Sequence, residues 1–167
     1  MMLKDKVAVI YGAGGGIGGA VARVFASEGA SVFLTGRHQA PVDTVAEDIA
    51  AAGGSADAAT VDALDQQAVE DHLGHVIGSA GRLDISFNAV GIPDTKLVGV
   101  PLVELDLEQF CLPITTYATS YFLTARLAAR RMVANGSGVI MTVTALHSRT
   151  GLPWWAATDR RRRSRSR

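Results

Sequence analysis

Short apolar runs and helix-periodic stretches alternate along this chain, and that alternation constrains its fold more than any other feature. Val7-Ala8-Val9-Ile10-Tyr11 is a continuous apolar run stopped by Gly12, the mark of a strand buried on both faces. Ile17, Ala20, Val21, Val24 and Phe25 follow at helical spacing until Gly29. Ser31 to Leu34 reads as a second strand, ended by Gly36. Val42, Val45, Ala46 and Ile49 mark a helix stopped by Gly53-Gly54. A third, weaker strand is expected over Ala58 to Val61. Val69, Leu73, Val76, Ile77 and Ala80 then mark a helix ended by Gly81, and Leu83 to Phe87 a fourth strand. A long helical region runs from about Glu104 to Ala134, with Pro113 expected to kink or restart it. After the turn Asn135-Gly136-Ser137-Gly138, Val139 to Val143 is a fifth strand. The order implies right-handed crossovers and an α/β fold, a doubly wound parallel sheet of about five strands with helices on both faces. Ligands of such sheets bind beyond the carboxyl ends of the strands, so functional residues are expected just after each one.

The first of those positions is Gly12-Ala13-Gly14-Gly15-Gly16-Ile17-Gly18-Gly19. A turn without Cβ atoms lets backbone approach a pyrophosphate, and the helix it opens offers free N–H donors and a partial positive charge. A glycine run alone is a weak signal, and a flexible loop without ligand is its plain alternative. The strand before it and the amphipathic helix after it make the signal strong. Two registers fit: Gly14-x-Gly16-x-x-Gly19, and the wider Gly12-x-x-x-Gly16-Ile17-Gly18. The second puts its first glycine at the turn after Tyr11 and is preferred.

Composition excludes several classes. The sixteen Lys+Arg balance sixteen Asp+Glu, but Arg160 to Arg167 holds six arginines and no acid. The body is therefore net acidic, ten basic residues against sixteen, and the neutrality is a cancellation. Cys111 is the single cysteine, which rules out an internal disulfide and argues against a thiolate metal site. The N-terminus lacks the apolar core of a secretory signal, and Leu112 to Met132 is broken by Pro113, Arg126, Arg130 and Arg131. A cytoplasmic protein without membrane attachment is expected. The arginine tail could neutralise phosphates of nucleic acid. Without interleaved aromatics to stack on bases, a charged disordered end is the preferred reading.

At this point the sequence resembles the short-chain dehydrogenase/reductase family, whose first motif is Thr-Gly-x-x-x-Gly-Ile-Gly; Tyr11 stands where that threonine would. Val61-Asp62-Ala63-Leu64-Asp65 is similar to the family's Asp-Val element, which implies that Asp62, with the Ala63 backbone, contacts adenine. The segment ending Asn88-Ala89-Val90-Gly91 resembles the family's Asn-Asn-Ala-Gly, matching at Asn88 and Gly91. The likeness runs over about 5–158. It implies a Rossmann-like NAD(P)-binding domain over 1–158, incomplete relative to the family, with a disordered tail at 159–167. Gly12, Gly14, Gly16, Ile17, Gly18, Arg37, Asp62, Ala63, Asn88 and Gly91 are the expected cofactor residues. A carboxylate after the second strand would accept the ribose hydroxyls of NAD. This chain has Thr35-Gly36-Arg37-His38 there, so Arg37 is expected to pair with a 2′-phosphate and favour NADP over NAD. A solvated surface arginine is the alternative. Asp62 could equally cap a helix beginning near Leu64, and Asn88 could merely bridge backbone groups.

The resemblance also implies hydride transfer between nicotinamide and a small carbonyl or alcohol substrate, with a tyrosine, lysine, serine and asparagine handling the proton. Those positions fall on Thr158, Arg162, Ala145 and, nearly, Tyr117, and none matches. Thr144 has the wrong strand parity, and His147 with Ser148 lacks an acid at useful spacing. No catalytic residue or metal ligand is assigned. The expected function is an oxidoreductase of this type, with an inactive dinucleotide binder as the alternative. From Asp159 the apolar periodicity gives way to arginine and serine, which suggests a truncation or a shifted frame. The fifth strand is then expected at a sheet edge, with a homo-oligomer or aggregation covering it.

Overall fold

The computed structural model describes residues 1–92 and 100–144. The described residues fall into two compact groups, Met1–Gly91 with Tyr117–Val143, and the remainder of 92–116 with Thr144. The first group carries the sheet: β1 (Val7–Tyr11), β2 (Ser31–Gly36), β3 (Ser55–Thr60), β4 (Ile85–Asn88) and β5 (Val139–Thr142). Its helices are α1 (Gly16–Ser27), α2 (Gln39–Ala51) and α3 (Gln66–Ala80), with the C-terminal part of α4 (Leu107–Ala134). All strands are parallel, in the order β3-β2-β1-β4-β5.

The pleat of β1 divides the core. Val7, Val9 and Tyr11 face Leu73 and Val76 of α3 and Leu127, Ala128 and Met132 of α4. Ala8 and Ile10 face Ala22 and Ala26 of α1 and Val42, Val45 and Ile49 of α2. Helices thus cover both faces, as a doubly wound Rossmann-like sheet requires. At the amino ends, Asp84 ties strands together: its carboxylate accepts the Val7 N–H at 2.9 Å and two Arg82 donors at 2.8 and 2.6 Å. Burial alone would raise that carboxyl, but these donors and the nearby Lys6 hold it below the usual carboxylate range.

Several boundaries differ from the sequence reading, each for a physical reason. β3 begins at Ser55, not Ala58, because Gly53 turns the chain at φ +80° and Ser55 pairs with Ser31 at the start of β2. Its polar residues suit an edge position, so apolar content understates the strand. β4 is offset to Ile85–Asn88; Leu83 is buried but precedes the ladder. α4 passes through Pro113 as one helix, so the proline does not restart it. α3 begins at Gln66 rather than near Leu64, and its cap is Asp65, whose carboxylate accepts Gln67 and Ala68 N–H groups at 2.8 and 3.1 Å. Among the described residues β5 pairs only with β4, and Val139 and Ile140 are 51% and 40% exposed.

Candidate dinucleotide site

The carboxyl ends of β1, β2 and β4 are stitched together by the loops that leave them. The Ala13 N–H donates to Thr35 at 2.9 Å, and the Ala89 N–H to Tyr11 at 2.9 Å. Between these, Gly12 turns at φ +75°, and a Cβ there would meet the Ala89 carbonyl oxygen at 2.7 Å. A Cβ on Gly18 would run into the Gly12 carbonyl, so the first turn of α1 lies against the glycine turn itself. Gly14 is pressed against Pro41 of α2, where a Cβ would be 2.8 Å from the proline Cβ. At Gly16, the first residue of α1, a Cβ would meet nothing within 4 Å. Gly12, Gly16 and Gly18 thus hold the turn, the helix start and the close approach of the wider register. Gly19 is also tight, its Cβ position 3.1 Å from the Ala13 oxygen.

The N-terminus of α1 is therefore bare. Its cap, Gly15, has no side chain, and the first turn contains no acidic residue. Among the described residues, nothing satisfies the N–H groups of Gly16, Ile17 and Gly18 at the positive end of the helix dipole, which is the arrangement a phosphate fits. Ile17 is 58% exposed beside them.

The other expected residues surround this point to differing degrees. Arg37 directly follows β2 and is exposed. Asp62 is exposed after β3; one carboxylate oxygen accepts the Leu64 N–H at 2.9 Å, closing a local turn. Ala63 is buried in the core beneath it. Asn88 is bonded at both ends: Oδ1 accepts the Val90 N–H at 2.9 Å and Nδ2 donates to Thr124 of α4 at 3.0 Å. Its side chain shapes the exit of β4. Gly91 is exposed, and a Cβ there would touch nothing described. The Tyr11 hydroxyl is buried without a hydrogen-bond partner among the described residues, and burial pushes the phenol far above its ordinary range. Ala145, His147, Ser148, Thr158, Arg162 and the arginine tail lie outside the described residues.

The sequence reading missed the anchors on α4. Ser120 and Thr124 are buried, and the Thr124 hydroxyl donates to the Ser120 carbonyl at 2.8 Å while accepting from Asn88. Tyr121 donates to the Val143 carbonyl at 2.6 Å. Two small polar residues four apart in a core-facing helix were the available signal. Among the described residues, no group of metal-ligating side chains is present and no helix is long and apolar enough to cross a membrane.

Comparison with known proteins places this geometry in a family. The short chain dehydrogenase model matches residues 6–157. The 7alpha-hydroxysteroid dehydrogenase of Escherichia coli K12 is 32% identical over 150 residues, covering 87% of this chain and 55% of that protein. A short-chain type dehydrogenase/reductase from Mycobacterium marinum superposes with a TM-score of 0.82 at 34% identity, covering 89% of this chain and 59% of that one. A metagenomic short-chain oxidoreductase solved in complex with NADP gives a TM-score of 0.78 at 32% identity, covering 87% and 65%. The chain spans somewhat over half the length of the curated relatives it matches. With the glycine turn, the parallel sheet order and these matches in agreement, the chain belongs to the short-chain dehydrogenase/reductase family.

Proposed function

We propose that residues 1–158 bind a nicotinamide dinucleotide across the carboxyl ends of the strands and serve an NAD(P)-dependent oxidoreductase acting on a small carbonyl or alcohol. The observation that carries this is the bare N-terminus of α1 behind Gly12, Gly16 and Gly18. Gly14 and Ile17 complete that cradle, Asp62 and Ala63 border the adenine end, and Asn88 and Gly91 border the exit of β4. The nicotinamide, when bound, supplies or accepts the hydride at the substrate carbon. The chain's own residues hold the pyrophosphate through backbone donors and fix the exits of β1 and β4. A second reading, a dinucleotide binder without turnover, is favoured by Ala145, Thr158 and Arg162 standing where the family resemblance implies serine, tyrosine and lysine.

The preferred cofactor is NADP(H), read by Arg37, which makes no ion pair with a described residue. Saturation at 100 times the dissociation constant should stabilise the chain by about 2.7 kcal/mol. NADPH is expected to raise the melting temperature more than NADH at equal concentration, and Arg37→Ala to erase the difference. An equal or larger shift with NADH would sink the NADP preference. No shift with either would sink the binding itself. Carbonyl-dependent NADPH oxidation, followed in the same samples, separates the enzyme from the inactive binder.

Self-association is the form that the exposed apolar residues favour. Phe122 and Val133 of α4 are 60% and 78% exposed, and Val139 and Ile140 of β5 are 51% and 40% exposed. Sedimentation should show self-association of the 167-residue chain. A monomer with a cooperative, concentration-independent melt would refute it.

A further inference from the structure

We propose that Gln39 is a positioning residue for cofactor choice: its side-chain amide holds the Asp43 carboxylate away from Arg37 and so leaves Arg37 open to a 2′-phosphate. The inference rests on the NADP reading above. From His38 to Gly81 the sequence carries carboxylates on α2, β3 and α3 but no Lys or Arg, so Arg37 stands at the head of an acidic stretch. It nevertheless makes no ion pair with a described residue. Several of those acids are engaged elsewhere: Asp48 pairs with Arg23 of α1, Asp57 with His75 of α3, and Asp62 closes its turn on the Leu64 N–H. Asp43 is different. It is the first carboxylate after β2, and its partner is an uncharged side chain.

Gln39 is the first residue of α2 and Asp43 lies four residues on, so the two share a face of the helix. Gln39 Nε2 donates to Asp43 Oδ1 at 2.5 Å, and Gln39 Oε1 accepts the hydroxyl of Thr60, at the end of β3, at 2.5 Å. The amide cannot turn over. Reversed, it would set its carbonyl against the carboxylate, two acceptors with no proton between them. Thr60 thus fixes Gln39, and Gln39 fixes Asp43. The exits of β2 and β3 are tied as well: the Val61 N–H donates to the Gly36 carbonyl at 2.9 Å, and a Cβ on Gly36 would be 2.8 Å from Val42 of α2. Arg37 and His38 therefore form a short turn between two held points, Gly36 and Gln39.

The consequence for the ligand follows from charge. Without the Gln39 amide, Asp43 loses its partner, and the nearest cation in the chain is Arg37, six residues back. A phosphate would then have to displace a carboxylate from the guanidinium and stand beside a charge of its own sign. NADH has no 2′-phosphate and is indifferent to that competition. Gln39 then governs discrimination between the two cofactors and not dinucleotide binding in general.

The test uses Gln39→Leu, Asp43→Asn and the double variant, each in the full-length chain. NADPH and NADH, which differ only in the 2′-phosphate, are titrated calorimetrically into each. In Gln39→Leu, NADPH should bind about five-fold more weakly, the upper range for one exposed ion pair, while NADH changes by less than about two-fold. Adding Asp43→Asn should restore NADPH to within about two-fold of the unsubstituted chain. Asp43→Asn alone should change NADPH affinity by less than about two-fold, because that carboxylate is already held. Undiminished NADPH affinity in Gln39→Leu overturns the proposal alone and leaves the NADP reading standing. Equal weakening of both cofactors overturns it too, since that marks a general disturbance of α2, and so does a loss that Asp43→Asn fails to restore. If the unsubstituted chain binds NADPH no better than NADH, the NADP reading fails and this proposal with it.

Discussion

Replacing Gly18 by alanine should lower stability by about 3 kcal/mol, a drop in melting temperature on the order of 6 to 12 °C for a chain this size. The added methyl would collide with the Gly12 carbonyl oxygen and would lie 2.8 Å from its carbon and 3.0 Å from the Ala13 Cα. All three are backbone atoms. They cannot give way as a flexible side chain would, because Gly12 is turned at φ +75° and the Ala13 N–H is bonded to Thr35. Relief requires opening the turn or sliding α1 off the sheet, and either moves the helix N-terminus out of line. NADPH binding should fall with stability. Gly16→Ala is the informative contrast, since a methyl there meets nothing within 4 Å. Its stability should change by no more than about 1 kcal/mol, the glycine-to-alanine propensity difference. The methyl nevertheless projects into the open space before the helix, and NADPH affinity should drop about ten-fold, equivalent to about 1.4 kcal/mol. Calorimetric melts and titrations of both variants check this. A Gly18→Ala melt indistinguishable from the original would show that the turn is softer than its contacts require. Undiminished NADPH affinity in Gly16→Ala would place the pyrophosphate elsewhere.

The two glycines also mark how far sequence reasoning reaches. The β1–turn–α1 unit is legible because each signal is local: the apolar run, the glycine turn and the helical period lie within about twenty residues. The order of elements is legible for the same reason. β3 is harder, since Ser55, Asp57 and Thr60 are polar and only pairing with β2 makes a strand of them. Asp62 and Asp65 are three residues apart and equally able to cap; in the structure α3 begins at Gln66 and Asp65 caps it. The role of Asn88 is legible least, because its partner Thr124 is 36 residues away on α4. Its place after a strand is visible in the sequence, but the two bonds its side chain makes are not. Periodicity predicts which face of α4 is buried, but not which polar atom on that face meets which strand.

Acid should destabilise this protein through His72, by about 3 kcal/mol in full. The imidazole is 7% exposed in the face of α3 that packs on the sheet, and its Nδ1 has no hydrogen-bond partner among the described residues. The Phe33 ring of β2 meets it edge-on at 6.5 Å, and His75 lies one helical turn away. On β3, Asp57 is paired with His75 at 3.0 Å. Burial depresses the His72 pKa from 6.5 to about 4, the His75 charge adds to that, and Asp57 opposes it. The sign follows from proton counts. Between pH 6.5 and 4 the unfolded chain holds a proton on this residue that the folded chain refuses, so stability falls as pH is lowered through that window. Above 6.5 both states are neutral and the contribution is complete; below about 4 both are protonated and the loss levels off. Urea unfolding at pH 7.5 and 4.5 should recover most of the difference, and His72→Leu should flatten it. Carboxylates titrating near pH 4.5 affect both proteins alike, so the contrast between them isolates the imidazole. If the two lose equal stability, His72 is already protonated in the folded state, and the apolar packing of α3 on Phe33 must be looser than its burial implies.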